Sequence, residues 1–172
     1  YISELTDERL FENPILYINC DDQPNLEFPQ EEKDALRRYM EQGGFVYLDA
    51  GIKASFLGRD LGHSYAAWEE RPEVRELFSQ VYPEKSFLPL PRNHEIFRTF
   101  FKGLPKNEDL KIKQDQKRLP ETVLTFVEQE KWPQGTYSFV GLKVKGRLAC
   151  VASPICATVS YTHLRAHETD IN

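Results

Sequence analysis

Three scarcities narrow what this chain can be. Cysteine comes first: Cys20, Cys150 and Cys156 are the whole supply in 172 residues. Their number is odd, and they show neither metal-ligand spacing nor a pairing pattern, which fits free thiols. Long apolar runs are the second absence, since none approaches the roughly 20 residues that a bilayer span needs. Positive charge is the third. With 22 Lys and Arg against 27 Asp and Glu, the net charge is −5 and is spread along the chain. That balance argues against nucleic acid as a partner. Motifs are missing as well. There is no G-x-C-x-G or G-x-S-x-G elbow, and the glycine-rich stretch from Gly51 to Gly62 fits neither a P-loop nor a dinucleotide fingerprint. No cofactor signature is present, and no internal repeat or low-complexity segment. The chain opens at Tyr1 with no initiator Met and no basic-then-apolar leader, so we expect the native start upstream.

What is present is ordinary for a soluble globular protein: 40% hydrophobic and 28% charged residues, in a length that suits one domain. The central stretch is residues 28–51. Pro29 suits a first helical position, and Glu31, Glu32 and Asp34 place negative charge near the positive end of the helix dipole. Leu36, Tyr39 and Met40 recur at helical spacing, with Arg37, Arg38 and Glu41 on the other side. Gly43 stands where a left-handed cap is wanted. Residues 45–48 then form an apolar run without alternation, the pattern of a strand covered on both faces. Residues 15–18 share that character. Strand, helix and strand with short connections predict a right-handed parallel crossover.

The flanks read in the same way. Leu5, Leu10 and Phe11 anchor a helical turn over residues 7–11, and Pro14 suits a strand start. Residues 19–25 form a polar loop at a strand C-terminus, the edge where open α/β sheets bind ligands. Residues 50–70 read as a long surface loop with room for one helical turn. Pro72 opens a helix with Val74, Leu77, Phe78 and Val81 on one face, ending by Tyr82-Pro83. Residues 87–91 are extended, and their prolines confine them to an edge. Asn93 is expected to cap a short helix over residues 94–101. Residues 105–121 are charged and solvated, and residues 122–126 read as a strand or the start of a helix. A hairpin follows, over residues 137–144 and 147–152, with its turn at Lys145-Gly146.

Residues 159–169 (VSYTHLRAHET) resemble a sequencing adapter of the transposase type read through in frame. We therefore divide the chain into one α/β domain over residues 1–158 and an adapter-derived, disordered tail over residues 159–172. His163 and His167 drop out as ligands on that division, which leaves His63 and His94. The domain is expected to be truncated at both ends, with apolar sheet surface left uncovered.

The segments DERLFENPILYIN, LRRYMEQGGFVYLDAG, RPEVRELFSQVYPEKSFLPLPRNHEIFRTFF and GLKVKGRLACVASP occur in that order across most of residues 7–154. Together they resemble a bacterial family catalogued as domain of unknown function number 4159. The resemblance implies a class-I glutamine-amidotransferase-like fold, a three-layer α/β/α, doubly wound, mostly parallel sheet of flavodoxin type. It also implies an association with the cell envelope or periplasm. It brings no established activity. Residues 19–22 stand where a glycine is expected in relatives, and Ala50 stands where a second acidic residue is expected, so no site transfers.

The residues themselves rank the chemistries. A working amidotransferase needs a cysteine on a glycine-flanked elbow with a histidine nearby. Cys20 ends a strand, but Asp21 and Asp22 would raise its pKa and disfavour the thiolate. Cys150 reads as a small core residue. We expect no catalytic residue and name Asp21, Asp22, Asp49, His94 and Ser153 as ligand-binding candidates. The three aspartates could converge at the strand edge, where carboxylates suit Mg²⁺ or acid-base work. Asp and Asn after strands also serve as turn formers, and His94 is placed to cap a helix. Two function classes follow. One is a non-catalytic binding or assembly module for a small polar ligand or a partner protein. The other is a carboxylate- or metal-dependent hydrolase.

Overall fold

Residues 15–18 and 45–48 carry apolar side chains at successive positions, and both runs become neighbouring strands of one sheet, the first at its edge and the second inside it. In the computed structural model, which describes residues 4–20, 26–51, 68, 71–99 and 138–154, β1 (Ile15–Asn19) and β2 (Phe45–Asp49) run parallel. Ile15 lies opposite Phe45 and Asn19 opposite Asp49. The helix α1 (Gln30–Glu41) joins them and buries Ala35, Leu36, Tyr39 and Met40. Pro29 sits one position before the first helical residue, as the N-cap.

The end of α1 is closed by its own backbone. Gly43 takes φ +112°, its N–H donates to Met40 O at 3.3 Å, and Gly44 N–H donates to Tyr39 O at 3.0 Å. These are the two bonds of a Schellman cap, which needs a left-handed residue that glycine supplies without strain. Gly44 is constrained for a different reason. A Cβ there would lie 2.3 Å from Tyr39 Cζ, because the ring crosses over it to donate its hydroxyl to Asn13 O at 2.8 Å.

The second helix, α2 (Pro72–Val81), buries Val74, Leu77, Phe78 and Val81, as the apolar spacing predicts. It packs on α1 through Arg37, whose Nη1 donates to Val81 O at 2.9 Å. Arg37 also pairs with Glu84 at 3.2 Å and Glu41 at 3.0 Å and lies over the Tyr82 ring. The helical pattern assigns Arg37 to the side away from the core. Its long stem instead carries the charge onto the end of α2, where free carbonyls and the dipole favour a cation.

The remaining strands complete the sheet. Short β3 (Leu88–Pro89) pairs antiparallel with β4 (Val140–Val144), and β4 turns at Lys145 (φ 50°) and Gly146 (φ 79°) into β5 (Arg147–Ser153). Positive φ at both central residues matches the right-handed twist of a tight hairpin. Ala149 is an extra residue where the pairing jumps from Leu142–Cys150 to Lys143–Leu148. Strand order is β1-β2-β5-β4-β3. β1, β2 and β5 are parallel neighbours, as expected of the three apolar runs, and the C-terminal hairpin is present. The described residues form a mixed α/β fold, with a five-stranded mixed sheet and two α-helices among them.

Strand alternation separates two faces. Ile18, Val46, Leu48 and Ala152 share one cluster with residues of both helices. Leu90, Phe139 and Val151 form a smaller cluster with Phe45, Tyr47, Ile96 and Phe97. Ile96 and Phe97 belong to a single 3-10 turn (Glu95–Phe97) capped by His94. This corrects the expectation of an Asn93-capped helix: the His94 ring nitrogen Nδ1 accepts from Ile96 N–H at 3.2 Å and takes the capping role itself. Apolar surface is uncovered at both edges, with Ile15 on β1 and Leu88 on β3 each 63% exposed. Leu5 and Leu10 are buried, as expected, beside the 3-10 turn Glu8–Glu12.

Candidate functional site

Three parallel strands end together, and their last residues form a polar row. Asn19, Asp49 and Ser153 are register partners across β1, β2 and β5. The row is stitched by backbone: Cys20 N–H donates to Asp49 O at 2.9 Å, and Ala50 N–H to Ser153 O at 2.8 Å. Asp49 and Ser153 are fully buried. Burying a carboxylate is costly without hydrogen bonds. Tyr17 supplies one, donating its hydroxyl to Asp49 Oδ2 at 3.1 Å. The Tyr17 ring stacks on Tyr47 at 5.9 Å between centroids, on the same face of the sheet as Asp49 by strand alternation.

Of the residues expected to bind, Asp49 and Ser153 come together here. Asp21 and Asp22 lie outside the described residues, as do His63 and Cys156. His94 is spent on capping its 3-10 turn. No group of three or more metal-ligating side chains occurs among the described residues.

On the opposite face, the same edge holds Cys20 and Arg71, both fully buried. Burial pushes the Cys20 thiol up to about 12, against a partial lowering by the Arg71 guanidinium and a further push from Asp49. The direction is the expected one, but its main cause is desolvation. Cys150 is raised as well, again by burial. Neither thiol carries thiolate near neutral pH, so neither is a ready nucleophile.

Arg71 escaped the sequence reading. Trp68 Nε1–H donates to Ser138 O at 2.8 Å, which ties the segment before α2 to the start of β4. Arg71 is the N-cap of α2, a position that favours Ser, Thr, Asp or Asn. A cation there also opposes the helix dipole. That local misfit is the signal the sequence offers, beside the stronger one of Pro72 at the helix start.

The family model described as Domain of unknown function (DUF4159) matches residues 1–154. The chain belongs to that family. No curated protein matches the chain. The family's description supplies no activity, so the roles of Asp49, Ser153 and Arg71 in this DUF4159 domain rest on their geometry. No helix among its described residues is long and apolar enough to cross a membrane.

Proposed function

We propose that the domain is a non-catalytic binding or assembly module. Its seat for a small polar ligand is the row Asn19, Asp49 and Ser153 at the C-terminal edge of the parallel strands. The observation that carries this reading is the state of the thiols. Cys20 stands where a nucleophile would be wanted, yet it is buried and held protonated. Crevices at this edge are the usual ligand seats of open α/β sheets. The β1-β2-β5 parallel order is consistent with an amidotransferase-like, flavodoxin-type architecture, which we retain as part of the proposal. On the resemblance alone, we place the parent protein in the cell envelope.

A specific observation favours one rival. Asp49 is a buried carboxylate beside a tyrosine hydroxyl, a pairing that acid-base chemistry can use. A thermal-shift screen of the full chain with Mg²⁺, Ca²⁺ and simple sugars, run beside hydrolysis of nitrophenyl esters and phosphates, separates the two readings. The module reading expects a saturable stabilisation by a sugar that Asp49→Asn removes, with no turnover. Metal-dependent hydrolysis abolished by Asp49→Asn would replace it with the hydrolase.

A further inference from the structure

One cavity is untouched by the polar row. It lies on the helix-bearing face, between α2 and the β3–β4 end of the sheet, and its volume is about 560 Å³. That is the size of a small-molecule site. Val74, Phe78, Phe87, Val140 and Leu142 give it apolar walls, and Trp68 and Ser138 flank its head. The charged side chains among its described lining residues are all cations: Arg71, Arg75 and Lys85.

Arg71 is the informative one. It is fully buried, and a guanidinium keeps its charge at any ordinary pH. Its Nε is in ion-pair contact with Glu73 Oε1. Its Nη1 and Nη2 meet no oxygen acceptor among the described residues, and the neutral Cys20 thiol beside the guanidinium cannot balance its charge. A buried charge with unmet donors is expensive, and such groups normally find partners. The two Nη groups form the fork that matches a carboxylate or phosphate in two parallel bonds. The positive end of the α2 dipole adds to the same preference. Three features therefore favour one ligand class: a fork that meets no oxygen acceptor, a helix N-terminus of like sign, and an apolar cavity below them.

We infer that this cavity binds a small organic anion, with a carboxylate or phosphate head on Arg71 and an apolar or aromatic body against Phe78, Phe87 and Leu142. Arg75 and Lys85 supply weaker, solvent-screened attraction at the rim. The site lies on the opposite face of the sheet from the Asn19–Asp49–Ser153 row and does not depend on it.

The test uses the full chain and four probes: phenyl phosphate, benzoate, inorganic phosphate and uncharged phenol. Thermal shift and tryptophan fluorescence, to which Trp68 contributes, report binding. Phenyl phosphate or benzoate is expected to stabilise the protein saturably and more than inorganic phosphate or phenol does. Whichever binds more tightly names the head group. Arg71→Met should weaken that binding about tenfold or more, the worth of one charged hydrogen-bonded pair. Arg75→Gln, at an exposed position, should weaken it about twofold. Asp49→Asn should leave it unchanged, which separates this site from the polar row. Three results overturn the inference: phenol binding as well as the anions, no response to either aromatic anion, or unaltered binding in a folded Arg71→Met protein. If Arg71→Met does not fold, the wild-type titrations and Arg75→Gln decide, and an Arg75→Gln affinity equal to wild type overturns it.

Discussion

Two arginines stand at opposite ends of the sheet, and their surroundings differ. Arg147 opens β5 beside the C-terminus of α1. Its Nη2 donates to Met40 O at 2.8 Å and to Gly44 O at 2.9 Å, and its Nη1 donates to Leu148 O at 3.3 Å. The carbonyls that a helix leaves open at its C-terminus are met there by a cation, where the dipole also wants one. Arg71 is the reverse case. It is more deeply buried, sits at a helix N-terminus, and offers Nη groups that meet no oxygen acceptor among the described residues. One end of the sheet is closed by hydrogen bonds. The other retains polar groups at a cost to stability, and ligand seats are made of such groups.

The contrast can be broken, and the largest test lies at the closed end. Gly44→Val would drive a side chain into the Tyr39 ring and should destabilise by about 3 kcal/mol, read as a lowered urea midpoint. An unchanged midpoint would mean that the Tyr39 ring gives way and that the cap is less rigid than its geometry suggests.

Next comes the direct comparison. Arg147→Met should cost about 2 kcal/mol by removing the charged donors to Met40 O and Gly44 O, whereas Arg71→Met should cost less, because the charge it removes is buried with unmet Nη donors, set against the loss of its Glu73 ion pair. Equal losses in matched urea titrations would erase the distinction between the two ends.

A smaller effect comes from Cys20. Its pKa rises from 9.0 to about 12, chiefly through burial, so the folded state holds the thiol proton more tightly than the unfolded chain does. The resulting stabilisation is complete below pH 9.0 and is lost as pH climbs towards about 12. Cys20→Ala should flatten the alkaline fall in unfolding midpoint over that window. Thiol labelling of the folded wild type at pH 8 should be slow, and rapid labelling of Cys20 would contradict its burial.

The smallest effect is at Asp7, where the hydrogen-bonded Arg9 guanidinium and the Arg9 N–H hold the carboxyl at about 2 instead of 3.8. A lowered pKa stabilises above pH 3.8 and loses that contribution as pH falls through about 2. Asp7→Asn should remove only this slope, seen as melting temperature against pH.

Much of the closed end was legible from local pattern. The Gly43-Gly44 stop, the 72–81 helix with its four apolar positions, the edge confinement of Leu88-Pro89 and the Lys145-Gly146 turn all depend on residues a few positions apart. Their preferences are backbone sterics and helical spacing, which survive in a one-dimensional reading. The candidate site was less legible. Asp49 is recognisable in sequence as one of a strand-edge group of aspartates and Ser153 as a strand-end residue, but nothing local brings the two together or points to Tyr17 as the donor to Asp49, because those contacts span strands. The capping role of His94 is visible in its place before a helical turn, and its ring does accept the capping bond, although Asn93 competes for that role in sequence. Helical spacing puts Arg37 on the side away from Leu36, Tyr39 and Met40, and only packing shows that it clamps α2.

The order of elements, the parallel crossover and the apolar side of each helix follow from composition and spacing, since each is set by neighbours along the chain. Three features depended instead on packing across the molecule: the seating of Arg71 beneath the strand edge, the alignment of Asn19, Asp49 and Ser153 in one row, and the burial that keeps Cys20 protonated. Each joins residues dozens of positions apart. Burial and charge act through space, and no local pattern records which distant group removes the water.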